Sequence, residues 1–267
     1  PFVLWASLWA HPLTPAHALS YLPLRALYRD ADAVATYGPH VSAYVRARGA
    51  RRVVEAPQGI DVGFWSAPAT ADERQAPFQA LFVGRSAREK GAQVLLEAWD
   101  ASGLKAPHAA LVLVGGDRPR SRVLAASAAR FECGRRSAEE LRNFYAAADV
   151  LVLPSLATRD FREPWGLAAN EAMCQETAVI ASDAVGAAAG GLVRDGDTGW
   201  VVPAGDAAAL AAALRHAAAD ATERRRRAAT ARAAAAAYTW EAWAAGMERA
   251  ISLASTRAGS PRDRRPT

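Results

Sequence analysis

From Gln79 onward, short apolar segments alternate with helical ones, and no other feature constrains the fold as much. Strands flanked in this way by helices belong to a parallel sheet covered on both faces. The strands expected are 79–83, 109–114, 130–133, 150–153 and 178–181. Between them, residues 89–99 place Val94, Leu95, Ala98 and Trp99 at helical spacing. Ser137, followed three positions later by Glu140, is a capping box that opens another helix. Residues 192–202 read as two short extended pieces around the turn Asp195 to Gly199, after which Asp206 caps an alanine-rich helix at 207–218. These are five βα-type units of a complete doubly wound α/β domain.

The first 75 residues read as the end of another unit, with strands at 2–5, 33–36 and around Val53 and Val54, and helices at 19–28 and 39–48. The segment 66–77, rich in Ala, Pro and charge, reads as a linker. Residues 239–253 carry Trp240, Trp243, Met247, Ala250 and Ile251 three and four apart, a helix whose apolar stripe needs a partner surface. The Pro/Arg-rich end, 260–267, reads as disordered. The expected domains are therefore 1–75, the remainder of an N-terminal domain with its linker; 76–236, a ligand-binding domain; and 237–267, a C-terminal helix and tail. Pro1 already lies in an apolar run, so the sequence is expected to begin part-way through a longer protein.

With 267 residues, 51% of them apolar, the chain can bury a sizeable core. The early apolar run stops at His11 with no basic segment before it, so neither a membrane span nor a signal peptide is supported, and a cytoplasmic protein is expected. Cys133 and Cys174 lack partner spacing for a disulfide framework or a zinc site. The net charge of +5 is concentrated at one end, where eleven basic and five acidic residues follow from Arg215, and the rest is close to neutral. Nucleic acid is therefore not an expected partner.

The chemistry gathers after the first and fourth of the expected strands. Gly84 and Arg85 end the first, with Glu89, Lys90 and Gly91 opening the next helix; Leu153, Pro154 and Ser155 end the fourth and lead to Glu163, Pro164, Trp165, Gly166 and then Glu171. In a doubly wound sheet these two strands flank the switch point, where ligands bind. Arg85 and Lys90 suit a diphosphate, aided by a helix expected to begin near Gly166. Glu163 and Glu171, eight residues apart, are separated by about 12 Å if the segment is helical throughout. Hydroxyl-bearing groups at both ends and a diphosphate between them describe a nucleotide-sugar. Lysine is a rare cation here, present only as Lys90 and Lys105, which favours a specific use of Lys90.

The runs Phe82-Val83-Gly84-Arg85 with Glu89-Lys90-Gly91, Ala148 to Ser155, Glu163-Pro164-Trp165-Gly166 with Glu171-Ala172-Met173, Val193 to Gly199, and Pro57-Gln58-Gly59-Ile60-Asp61 together resemble glycosyltransferase family 4. The resemblance covers most of 32–243 and implies a GT-B type fold: a complete Rossmann-like C-terminal domain plus a partial Rossmann-like N-terminal one. It implies retaining transfer of a sugar from a nucleotide-sugar to a glycan or lipid-linked acceptor, with no cofactor and no bound metal. Residue by residue, Arg85 and Lys90 hold the diphosphate beside Gly84. Glu163 contacts the sugar hydroxyls, with the backbone of Trp165, Gly166 and Leu167 nearby; Glu171 takes the ribose hydroxyls; and 132–137 lies against the base. The catalytic set is thus Arg85, Lys90 and Glu163, and His11 is the candidate for a histidine carried by the N-terminal domain, although the ungapped position falls nearest Ser7. The last helix is expected to cross back onto the N-terminal domain.

The chain departs from the family pattern at Cys174-Gln175-Glu176-Thr177-Ala178-Val179, which lacks the usual Gly and Pro, and at Gly186-Ala187, where two glycines are usual. The strings Asp30-Ala31-Asp32 and Asp195-Gly196-Asp197 read as a helix-strand junction and a turn, not metal ligands. Arg224 to Arg227 reads as a solvated helix face, with peripheral contact to anionic lipid at the inner face of the membrane as the alternative. Two other functions remain open: a non-catalytic, truncated nucleotide-sugar-binding module, and a nucleotide-sugar epimerase on the same fold.

Overall fold

The computed structural model describes residues 1–85, 87–116, 122–125 and 129–258; the tail 260–267 lies outside them. The chain divides into two compact units, one formed by Pro1–Gly59 with the chain from Tyr238 onward, the other by Ile60–Ala237.

In the smaller unit, β1 (Val3–Ala6), β2 (Ala33–Thr36) and β3 (Val53–Glu55) form a parallel sheet in that order. Helix α1 (Pro15–Asp30) starts four residues earlier than expected because Thr14 caps it, accepting the His17 amide, with Pro15 in the first turn. Val34 faces a cluster with Tyr28, Val41 and Tyr44 contributed by α1 and α2 (Pro39–Arg46). Its neighbours Ala33 and Ala35 point the other way, towards the C-terminal helix, as the two-residue period of a strand requires.

That C-terminal helix, α10 (Trp240–Ala258), lies on β2 and β3 through Trp243, Met247, Ala250 and Ala254. The small residues let it come close; a Cβ on Gly246 would sit 2.5 Å from the Ala56 Cα. The stripe thus has its partner, but two expected members do not belong to it: Trp240 is 59% and Ile251 51% exposed. At about 100° per residue both fall roughly 60–80° to one side of Trp243, beyond the sheet contact.

The larger unit begins with α3 (Val62–Trp65) and runs through β4 (Phe78–Val83), α4 (Ala92–Ser102), β5 (Ala109–Val114), β6 (Arg122–Ala125), β7 (Arg130–Cys133), α5 (Ala138–Ala147), β8 (Val150–Leu153), α6 (Ala168–Cys174), β9 (Ala178–Ser182), α7 (Gly186–Ala189), β10 (Gly199–Val202), α8 (Ala207–Ala219) and α9 (Ala221–Ala235). The strand order is β10-β9-β8-β4-β5-β7-β6, parallel except for β6, which pairs antiparallel with β7. The five expected strands are all present, and the first and fourth of them, β4 and β8, are neighbours. β6, the edge strand, was not expected.

Three further differences have local causes. The helix expected at 89–99 is a 3₁₀ turn, Arg88–Lys90, then left-handed Gly91 and α4. Of the two extended pieces expected in 192–202 only β10 is a strand, because the Arg194 carbonyl accepts the amides of Asp197, Thr198 and Gly199 and closes a turn there. Residues 60–75, expected as the end of the first domain with its linker, pack on the larger unit. The Arg142 guanidinium donates to the Phe64 carbonyl, Gln175 to the Ala67 carbonyl, and Arg74 to Asp149 at 2.9 Å.

The departure at Gln175-Glu176 is accommodated in the same place. Glu176 takes φ +55, a left-handed conformation that favours glycine, and pairs with Arg232, while the Thr177 hydroxyl donates to the Tyr145 carbonyl.

The arginine run 224–227 is a solvated face only in part: Arg225 and Arg226 are exposed, whereas Arg224 and Arg227 are drawn into the fold. Arg224 donates to Asp149 and lies over Phe78; Arg226 grips Glu223; and Arg227, its side chain 7% exposed, donates to the Gly199 carbonyl and Glu223 and stacks 4.2 Å over Trp200. Four successive helical residues point around most of the circumference, and the body of the unit takes up two of these, Arg224 and Arg227. The hydrogen bonds from Arg226 and Arg227 pull the Glu223 carboxyl down to about 2. Its contribution to stability is therefore present above the ordinary carboxylate range and is lost as pH falls towards 2. Arg227→Ala removes a buried charge-assisted bond and a cation–π contact, so it is expected to cost about 3 kcal/mol. In a thermal melt this reads as a fall of roughly 6–12 °C, with no change expected for Arg225→Ala.

Candidate functional site

Because β4 and β8 are adjacent and parallel, the loops leaving their carboxyl ends meet in one crevice. Their backbones touch: the Leu156 amide donates to the Glu89 carbonyl at 2.8 Å, and a Cβ on Gly91 would lie 1.9 Å from the Pro154 oxygen. Gly91, at φ +71, ends the 3₁₀ turn and starts α4, which points the Lys90 side chain across to the second loop.

There the Lys90 ammonium pairs with Glu163 Oε2, which also accepts from the Ser155 hydroxyl at 3.2 Å, and the Phe161 ring lies 5.9 Å from Nζ. Glu163 is held from behind. Its amide donates to the Ala184 carbonyl and its own carbonyl accepts the Gly186 amide at 3.0 Å. Gly186 is where the family's first glycine is kept, and a Cβ would meet the Pro164 oxygen at 2.0 Å. A cavity of about 100 Å³ opens beside the pair, bordered among others by Phe82, Lys90, Ser155, Glu163, Gly166 and Leu167.

The structure thus brings Lys90, Glu163, Gly166 and Leu167 together and leaves the other expected residues outside this lining. The Arg85 side chain is 70% exposed and reaches only Glu89, at 3.3 Å. Gly84 lies against the Gly115 backbone, where a Cβ would come within 2.1 Å of the Gly84 oxygen. The Trp165 indole turns inward and donates to Asn170 Oδ1 at 2.7 Å. The helix expected near Gly166 begins at Ala168, because Gly166 has φ +95, outside the right-handed helical region. The segment from Glu163 to Glu171 is therefore not helical throughout, and the 12 Å separation does not apply.

Glu171 sits on α6 and accepts a 2.7 Å hydrogen bond from the Tyr145 hydroxyl. Burial pushes its carboxyl above the ordinary range, and the Tyr145 bond partly opposes this. Tyr145 and Ser155 are the site residues that sequence reasoning missed. Tyr145 reads as core on an amphipathic helix, whereas Ser155 stands immediately after Pro154 at a strand end, a signal that was available. In the loop 132–137, Ser137 caps α5 in the expected capping box.

His11 belongs to the smaller unit, where Nε2 lies 2.7 Å from the His17 carbonyl and the ring packs edge-on to Tyr21. The Asp-x-Asp strings are engaged locally: Asp32 accepts the Phe2 amide, Asp30 pairs with Arg29, Asp197 with Arg194, and Asp195 accepts the Val201 amide. Among the described residues no group of three or more His, Cys, Asp or Glu is placed to hold a metal ion, and no helix is long and apolar enough to cross a membrane.

Comparison with known proteins gives the family and the fold. The sequence profile of glycosyl transferases group 1 matches residues 77–220. A phosphatidyl-myo-inositol mannosyltransferase of Mycolicibacterium smegmatis is 35% identical over 167 residues, which is 60% of this chain and 42% of that one. A D-inositol 3-phosphate glycosyltransferase of Corynebacterium kroppenstedtii is 34% identical over 150 residues, 50% of this chain and 31% of that one. The chain therefore spans less than half the length of these relatives.

Among solved structures, sucrose-phosphate synthase from Thermosynechococcus elongatus superposes with a TM-score of 0.69 at 30% identity, covering 90% of this chain and 62% of that one. Anabaena HepE in complex with UDP and glucose gives 0.71 at 20% identity, covering 96% and 72%. These likenesses give the chain a GT-B type of α/β fold. With more than half of its length matched by the profile, the chain belongs to the glycosyl transferases group 1 family.

Proposed function

We propose that this chain is part of a retaining glycosyltransferase that moves a sugar from a nucleotide-sugar to a glycan or lipid-linked acceptor. The observation that carries the reading is the Lys90–Glu163–Ser155 cluster at the carboxyl ends of β4 and β8. A lysine and a carboxylate side by side meet the two demands of the donor: a cation for the diphosphate and an acceptor for the sugar hydroxyls. On binding, Lys90 exchanges Glu163 for phosphate oxygen, and the freed carboxylate takes hydroxyl hydrogen bonds.

As the bond from the anomeric carbon to the phosphate oxygen breaks, the acceptor's hydroxyl oxygen forms the new bond to that carbon and its proton passes to the departing phosphate, while Lys90, with Arg85 swinging in from its exposed position, neutralises the charge that develops on the nucleotide. Glu171, steadied by Tyr145, takes the ribose hydroxyls, and the backbone at 165–167 lines the sugar. That the HepE structure holds UDP and glucose supports the donor class. The names of the inositol-directed relatives support a lipid-linked or polyol-bearing acceptor. No resident cofactor or metal enters this scheme, and the partners are the donor and the acceptor. Peripheral contact with the membrane's inner face falls, on this reading, to basic residues other than Arg224, Arg226 and Arg227.

Calorimetric titration with UDP-glucose, GDP-mannose and ADP-glucose tests this, alongside Glu171→Gln. One donor is expected to bind, and the variant to bind it about tenfold or more weakly, as loss of a charge-assisted hydrogen bond predicts. The same variant is expected to melt at a higher temperature at neutral pH. A carboxyl raised by burial favours the protonated folded state, so its contribution falls as pH rises from the unfolded value through the folded one, and a neutral amide removes that loss. Absence of binding across the panel would sink the donor assignment. Binding without transfer to any acceptor would favour the truncated binding module, and an isomerised donor the epimerase.

A further inference from the structure

We propose that the hydrogen bond from the Trp165 indole to the Asn170 side chain is a strut that sets the aim of Glu163 relative to Glu171, making Trp165 and Asn170 positioning residues for the donor site. This rests on reading that site as one for a nucleotide-sugar.

The two carboxylates lie on opposite sides of a bend. On the near side the backbone is strapped to the segment after β9: Glu163 exchanges hydrogen bonds with Ala184 and Gly186, and the Trp165 carbonyl accepts the Ala187 amide at 2.7 Å. On the far side Glu171 rides on α6 with its carboxylate on Tyr145. Between them stands Gly166 at φ +95, and the next residues close only short local turns, Ala169 onto Gly166 and Glu171 onto Leu167. A left-handed glycine is the most permissive joint a chain can contain. The 2.7 Å indole–amide bond spans that joint from the strapped arm to the helix.

Asn170 is fully buried, and its Nδ2 has no hydrogen-bond partner, so its polar contact is concentrated on the buried indole N–H. Its oxygen satisfies that N–H, and the pair ties the bend while leaving one donor unpaired. The indole itself does not border the cavity, so its effect on a ligand is carried through Glu163 and Gly166, which do.

The test compares wild type, Trp165→Phe, Trp165→Phe/Asn170→Leu and, as a control for a thinned core elsewhere, Trp99→Phe. Three quantities are measured: thermal midpoint, amide hydrogen exchange across 163–171 without ligand, and calorimetric affinity for whichever of UDP-glucose, GDP-mannose or ADP-glucose the wild type binds. Trp165→Phe is expected to exchange about tenfold faster across 163–171 and to bind the donor about tenfold more weakly. The double variant is expected to regain thermal midpoint, having lost the orphaned amide, while exchange and affinity stay at the single-variant level. Trp99→Phe is expected to lower the midpoint and leave exchange at 163–171 as in wild type. Recovery of affinity and exchange together with stability in the double variant, or no change in either for Trp165→Phe, would overturn the strut. If the wild type binds none of the three donors, the functional reading fails by itself, and the exchange data still decide whether the bond holds the bend.

Discussion

Replacing Lys90 with methionine is expected to lower kcat/KM for donor turnover by about 10² to 10³, the usual cost of removing one preorganised group that faces developing charge. Methionine keeps most of the stem and loses the ammonium, so the packing around Phe161 and Pro154 should survive. What disappears is the only cation bordering the cavity among the described residues. Arg85, which reaches only Glu89 in the absence of ligand, is not positioned to take its place without moving. The same change takes the ammonium partner away from Glu163, whose carboxylate is largely buried. Donor affinity is therefore expected to fall along with turnover. Calorimetry and a nucleotide-release assay on the same preparation check both, and a variant within threefold of wild type would remove Lys90 from the mechanism.

Gly91→Ala should be as damaging through the fold. The added methyl would stand 1.9 Å from the Pro154 oxygen and 2.8 Å from its carbon, both backbone atoms, so one of the two site loops must move. A loss of more than about 4 kcal/mol is expected, in the range reserved for core-scale clashes. This corresponds to a fall in melting temperature of about 8–16 °C for a chain of this size. Gly103 supplies the control. It has nearly the same left-handed backbone, φ +72 against +71, but nothing lies within 4 Å of its would-be Cβ. Gly103→Ala is expected to cost only the conformational strain, roughly 1–2 kcal/mol. Equal melting temperatures for the two alanine variants would show that loop contact at Gly91 contributes nothing.

Much of this site was readable from residue order. Strands buried on both faces announce themselves as short apolar runs, so β4, β5, β8 and β9 could be placed closely, and the adjacency of β4 and β8 follows from the topology of doubly wound sheets. The pairing of Lys90 with Glu163 across 73 residues was then a consequence of two loops sharing a crevice. The bend at Gly166 was harder to see. An E-x-x-G-containing run is compatible with a continuing helix, and only the strap to the segment after β9 forces the left-handed turn there.

The arginine run shows the same division from the other side. Four successive arginines read as a surface because charge is normally solvated, and nothing local says otherwise. That Arg224 and Arg227 leave the solvent is decided by Asp149, Phe78, the Gly199 carbonyl and Trp200, which come from strands and loops far away in the chain. Similarly, Trp240 and Ile251 satisfy the periodicity of an apolar stripe, but the width of a three-stranded alanine-lined sheet decides how much of that stripe is covered.

The sequence by itself determined the α/β class, five of the strands of the larger unit, the Ser137 and Asp206 helix caps and the family, because these depend on hydrophobic period, caps and motif order, all of which are local. Tertiary structure alone decided which residues border the cavity, that Tyr145 holds Glu171, that the indole of Trp165 turns away from the ligand side, and that residues 60–75 belong with the larger unit. Each of these is a contact between groups far apart in the chain or across a left-handed glycine, where direction is set by packing and hydrogen bonding and leaves no periodic trace in the residues themselves.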